Sequence, residues 1–196
     1  MGTLSVVHDV SAPVATVTGA FALGGALLLT AAGAGHLWHR RALPTALRAQ
    51  RLLPAHLSVP VAIGAVAAEV SIGPSVLATA IGGPSASAVP LVAQAALYAT
   101  FTAFLWMVLR RRPAAPCGCF GAAERVSRLV VTRAGLLAAA TIGALVPGAQ
   151  FAMLPMTSRL LCLAGGFVVA MAGWLLPVLT NLAGSQPTPT AAARRS

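Results

Sequence analysis

The stretch LSVPVAIGAVAAEVSIGPSVLATAI, residues 57–81, contains one ionisable side chain, Glu69, at its midpoint, with twelve residues on either side. About 20 apolar residues rising ~1.5 Å each cross the hydrocarbon of a bilayer, so this run is long enough to span it as a helix. Four other stretches meet or approach the same requirement: residues 13–37, 88–109, 129–146 and 161–182. The fourth is the shortest and carries Arg133 near its start, and Pro177 falls within the fifth. The expected fold is therefore all-α, a polytopic membrane helix bundle. Residues 1–183 are expected to form a single transmembrane domain, and residues 184–196, with Gln186-Pro187-Thr188-Pro189-Thr190, a disordered cytoplasmic tail.

The composition supports that reading. Charged residues make up 8% of the chain, against roughly 25% in soluble domains, which is too few to cover a water-facing surface. The acidic residues are Asp9, Glu69 and Glu124; all thirteen basic residues are arginines, and the net charge is +10. These arginines bunch between the apolar stretches instead of lining a soluble basic face, which argues against nucleic-acid binding. No Lys or Arg precedes Arg40, and the first apolar run is too long for a signal-peptide core. It is expected to remain as a transmembrane helix.

Arginine distribution also predicts orientation. With the N-terminus outside, Arg40, Arg41, Arg48, Arg51, Arg110, Arg111, Arg112, Arg125, Arg128, Arg133, Arg194 and Arg195 fall on or near the cytoplasmic side, leaving only Arg159 outside. The expected location is the cell inner (plasma) membrane, multi-pass, with the C-terminus cytoplasmic. Part of the segment 36–56 is expected to lie as an interfacial helix with Leu43, Leu47, Leu52 and Leu53 toward lipid.

The chemistry centres on Cys117-Gly118-Cys119. Cysteines one residue apart can close a strained, easily reduced disulfide ring, and the intervening glycine permits the tight turn. Arginines nearby would favour a thiolate. The alternative is a structural loop with two inert thiols.

The string Pro116-Cys117-Gly118-Cys119-Phe120-Gly121, together with Arg110-Arg111-Arg112 before it and Val126-Ser127 then Arg133 after it, resembles the MauE (methylamine utilisation) family of DoxX-like membrane proteins. Upstream, Leu52-Leu53-Pro54 and Ala68-Glu69-Val70-Ser71-Ile72-Gly73 extend the likeness, which covers about residues 15–146. The resemblance implies a DoxX-like four-helix core plus a fifth transmembrane helix. It implies a redox-associated role in which Cys117 and Cys119 act with a thioredoxin-like protein in the maturation of a disulfide-containing client. In the namesake system that client is the small subunit of methylamine dehydrogenase. Two positions depart from the family: Ala134 stands where it often has Asn, and His36 or His39 stands where it often has a basic residue late in the first helix. A client outside the cell requires outward chemistry, whereas the arginines place the cysteines inward.

Glu69 is the third candidate catalytic residue. A carboxylate at membrane depth is costly unless protonated or paired, so it is read as a proton-accepting or quinone-contacting group, with Gln94, Tyr98 or Thr100 as partners. The competing reading is an interhelix hydrogen bond that sets packing. His36 and His39, three residues apart, would meet Cys117 and Cys119 as a zinc or copper set; helix-end histidines also interact with terminal carbonyls. Cys162 reads as a small hydrophobe in preference to a thiol relay. Trp38 and Trp106 read as interface anchors and Trp174 as packing. No cofactor is assigned, and homo-oligomerisation is left open. A non-catalytic assembly factor or scaffold and a Cys/His metal-handling protein are the competing functions; no phosphate loop or serine nucleophile constellation is present.

Overall fold

The computed structural model describes residues 3–82, 88–112, 115–118, 125–145 and 154–184, with side chains described from residue 13 to 176 within those ranges and at 179. Among them are α1 (Thr3–Trp38), α2 (Ala42–Gln50), a single 3-10 turn (Ala55–Leu57), α3 (Ser58–Ile81), α4 (Val89–Arg111), α5 (Arg128–Leu145) and α6 (Met156–Gly184). Five of the helices, all but α2, are long and apolar enough to cross a membrane. Their outer surface is hydrophobic: Ile63 is 65% exposed, Val168 66% and Leu179 60%, an arrangement that only lipid would tolerate over so many positions. The protein is thus a multi-pass membrane helix bundle. The tail 185–196 lies outside the described residues.

α1 is the central helix, packing on α6, α3 and α5, while α4 pairs with α5 and α3. Small residues make these approaches possible, as expected where lipid supplies no hydrophobic drive for helix association. At the α1–α6 crossing, a Cβ added to Gly24 would stand 2.8 Å from the Gly166 carbonyl oxygen, and one added to Gly166 would stand 3.0 Å from the Gly24 nitrogen. α6 is therefore built into the bundle. Gly166→Val should push it off α1 and cost about 1–3 kcal/mol, measured as a lower detergent-unfolding midpoint.

Polar ties complete the core. The amide nitrogen of Gln94, fully buried, donates to the Ala22 carbonyl at 2.8 Å and lies 3.2 Å from Thr141 Oγ1, joining α4 to α1 and α5. Tyr98 OH donates to the Gly25 carbonyl at 2.7 Å. Arg133 reaches from α5 to the Gly173 carbonyl of α6, so the arginine that the sequence places near a helix end works inside the bundle.

α2 corrects one expectation. It is amphipathic, but Ala46, Leu47 and Gln50 are buried against the bundle, so its Leu47 face turns inward and away from lipid. Arg51 follows in the left-handed conformation, φ 51°, and ends the helix with its N–H donating to the Arg48 carbonyl.

Candidate functional site

Beyond α4 the chain doubles back in a short clasp. Pro116 and Arg125 form an isolated antiparallel bridge, and Val126 N–H donates to the Ala115 carbonyl at 3.0 Å. Cys119 and Glu124, both within residues 119–124, lie outside the described residues. The clasp is pinned from α2: Gln50, 1% exposed, donates its amide nitrogen to the Pro116 carbonyl at 2.8 Å. Gly118 has φ +76°, and a Cβ there would come within 2.8 Å of Ala46 Cβ. The glycine between the cysteines is thus needed for its left-handed backbone and for the contact with α2.

Cys117 is 4% exposed and belongs to an apolar cluster with Leu105, Val108, Val126 and Val130. The arginines expected to favour a thiolate, Arg110, Arg111, Arg112 and Arg125, are all exposed. Arg110 lies over the Trp106 ring, 4.7 Å from its centroid.

Cys117 also lines a partly open cavity, here called the chamber, of about 210 Å³ bordered by α1, α2, α3, α4 and the clasp, with exposed Val61 and Thr100 among its lining residues. Its polar wall includes His36, Gln50, Glu69 and Thr100; Phe101, Phe104 and Leu105 are among its apolar residues. Glu69, 4% exposed, faces His36, whose Nε2 is 3.7 Å from Glu69 Oε2. It also borders a small cavity of about 50 Å³ shared with Arg133 and Tyr98. Helical spacing explains the position of the carboxylate: Glu69 and Gly73 are four residues apart on the face of α3 that meets α1.

The structure therefore brings together Cys117 and Glu69, which the sequence treats as separate features at different depths. The partners on α4 expected for Glu69, Gln94, Tyr98 and Thr100, are differently engaged. Gln94 serves α1 and α5, and Thr100 Oγ1 donates to the Ala96 carbonyl at 2.8 Å although Thr100 lines the chamber. Gln50 is the residue the sequence reading missed; its signal is a lone amide on the face of α2 that otherwise carries Ala46 and Leu47.

His39 is exposed, with Nδ1 3.3 Å from the Gly35 carbonyl, so it does not join buried His36. Among the described residues no three His, Cys, Asp or Glu side chains converge as a metal set. Cys162 is fully buried near the opposite end of the bundle, its Sγ 3.5 Å from the Thr16 carbonyl. Trp38 is 86% exposed at the end of α1, while Trp174, expected to pack, is 37% exposed.

These features define a class: a multi-pass helical membrane protein of DoxX-like architecture with a largely apolar cavity, bordered by a buried carboxyl group, beneath a cysteine-bearing clasp. The family model described as methylamine utilisation protein MauE matches residues 13–146, and the chain belongs to that family of redox-associated membrane proteins. No curated protein and no solved structure is found to be similar to it. The match ends before α6, the helix that receives Arg133.

Proposed function

We propose that the protein is a redox-associated membrane assembly factor that supports the maturation of a disulfide-containing client, with the Cys117 clasp as a fixed part of its architecture. The observation that carries this reading is the burial of Cys117, 4% exposed under a clasp held by Gln50. Exchange with a partner protein requires an accessible thiolate. The clasp lies at the end of the bundle that carries Arg40, Arg41, Arg48 and Arg51, and we assign that end to the cytoplasmic side of the plasma membrane, with the N-terminus outside.

A second reading is favoured by the opening of Cys117 onto the chamber that holds Glu69. There, Cys117 and Cys119 form a dithiol and disulfide couple served by a thioredoxin-like partner. Deletion of the chromosomal copy and complementation with Cys117→Ala, followed by mass-spectrometric comparison of disulfides in exported proteins, separates the two. The assembly reading expects complementation at or near the wild-type level. A loss as complete as that of the deletion, together with a mixed disulfide trapped in Cys119→Ser, would establish exchange chemistry instead.

A further inference from the structure

On α3, Val59, Ile63, Val66 and Val70, with the small Ala62 and Ala67 between them, recur at helical spacing and form one apolar face. That face is the floor of a groove of about 670 Å³, flanked by α1 at His36 and Leu37 and by α2 at Leu43 and Pro44. Ile63 and Val70 are exposed on the hydrophobic outside of the bundle, so the groove opens toward lipid. From Val59 to Ser71 it follows α3 for about 18 Å at ~1.5 Å per residue, close to the ~15 Å that one leaflet contributes to the hydrocarbon.

The two ends of the groove ask for different chemistry. At the deep end the Ser71 hydroxyl already donates to the Ala67 carbonyl at 2.7 Å, so what remains to be covered there is hydrocarbon. At the rim stands Arg40, exposed just beyond α1 and two residues from Trp38, whose exposed indole marks the level of the interface. Arg40 Nε donates to the Leu37 carbonyl at 3.3 Å, which ties the guanidinium to the helix end; among the described residues both of its Nη groups are without a partner. Glu69, the one acidic side chain described, faces His36 instead. Arg41 follows and is also exposed. Two adjacent cations thus stand at the mouth of a groove shaped for a hydrocarbon chain, and a phosphate of net negative charge complements them.

We propose that this groove binds one anionic phospholipid from the leaflet at the arginine-bearing end, with an acyl chain laid along α3, its phosphate on Arg40, and Arg41 adding to the attraction. A zwitterionic phospholipid fits the same groove, but its own ammonium offsets the pull of the two arginines. The groove therefore sets occupancy and the headgroup sets preference. A second copy of the chain is the poorer occupant, because a parallel neighbour brings Arg40 and Arg41 to the same level and like charges oppose the contact. The inference goes beyond the assembly reading and depends neither on the reactivity of Cys117 nor on which side of the membrane the clasp faces.

The test is native mass spectrometry of the full chain in detergent, titrated with phosphatidylglycerol and with phosphatidylcholine of the same acyl chains. The expected result is one phosphatidylglycerol bound ahead of all others per monomer, about tenfold tighter than phosphatidylcholine. Arg40→Gln should weaken phosphatidylglycerol binding about fivefold and leave phosphatidylcholine nearly unchanged, a response to headgroup charge that a change in packing would not give. Ala67→Phe, which fills the groove from an exposed position, should abolish the tight site for both lipids. Gly64→Leu, on α3 but outside the groove, should retain it. Equal affinity for the two lipids, or a ladder of adducts with no distinct first site, would overturn the proposal. So would unchanged binding in Arg40→Gln or in folded Ala67→Phe, or a dimer that Ala67→Phe dissociates.

Discussion

Gly73→Leu is expected to destabilise the bundle by about 3 kcal/mol or more, the largest stability effect among these substitutions. A Cβ at Gly73 would stand 2.5 Å from Thr30 Oγ1, 2.8 Å from the Ala26 carbonyl oxygen and 3.0 Å from the Thr30 nitrogen. Two of those three atoms are backbone, so relief requires α3 to move away from α1. One turn toward the clasp, Gly33 makes the matching approach, where an added Cβ would meet Glu69 Cβ at 3.1 Å. Separation of the helices would therefore also pull Glu69 from His36 and open the chamber. Gly64→Leu is the control, because a Cβ at Gly64, also on α3, meets nothing within 4 Å. It should change stability by no more than about 0.5 kcal/mol. Unfolding of both variants in detergent, titrated with sodium dodecyl sulfate, measures the contrast; equal midpoints would refute the close α1–α3 crossing.

Gln50→Leu is expected to release the clasp and raise the rate of Cys117 alkylation by about 10-fold to 100-fold. The leucine removes the 2.8 Å hydrogen bond to the Pro116 carbonyl and leaves that oxygen without its donor from α2. The loss is about 1–3 kcal/mol, and each ~1.4 kcal/mol multiplies the population of the open state tenfold when opening limits access. A Cys119→Ser, Cys162→Ala background isolates the signal from Cys117. Maleimide labelling in intact membranes provides the rate, and a rate equal to that with Gln50 intact would show that α2 does not hold the clasp shut. The same reagent applied from each side of the membrane tests the cytoplasmic assignment.

Legibility in the sequence followed the reach of the interaction. The membrane class was readable because length, apolar composition and the scarcity of charge are local properties, visible in 57–81 and its four counterparts. The family likeness was readable around Cys117-Gly118-Cys119 and Glu69, and the family match agrees with it. The fate of α2 was not. Leu43 and Leu47 read as lipid-facing because nothing local states whether an amphipathic face will meet lipid or protein, and the bundle supplied a protein surface. Arg133 was assigned by its distance from a helix end, yet the carbonyl that receives it is forty residues away on α6.

By itself, then, the sequence determined that this chain lives in a bilayer, which family it belongs to, and that a thiol, a carboxylate and two helix-end histidines are its unusual groups. Tertiary structure decided which of these meet. It put His36 and Glu69 3.7 Å apart, left His39 outside, and set Cys117 and Glu69 on the wall of one chamber that Gln50 also lines. The physical reason is that burial and pairing depend on helix crossings made by Gly24, Gly33, Gly73 and Gly166. Whether a glycine admits a neighbouring backbone or merely faces lipid, as Gly64 does, is fixed only when the helices have packed.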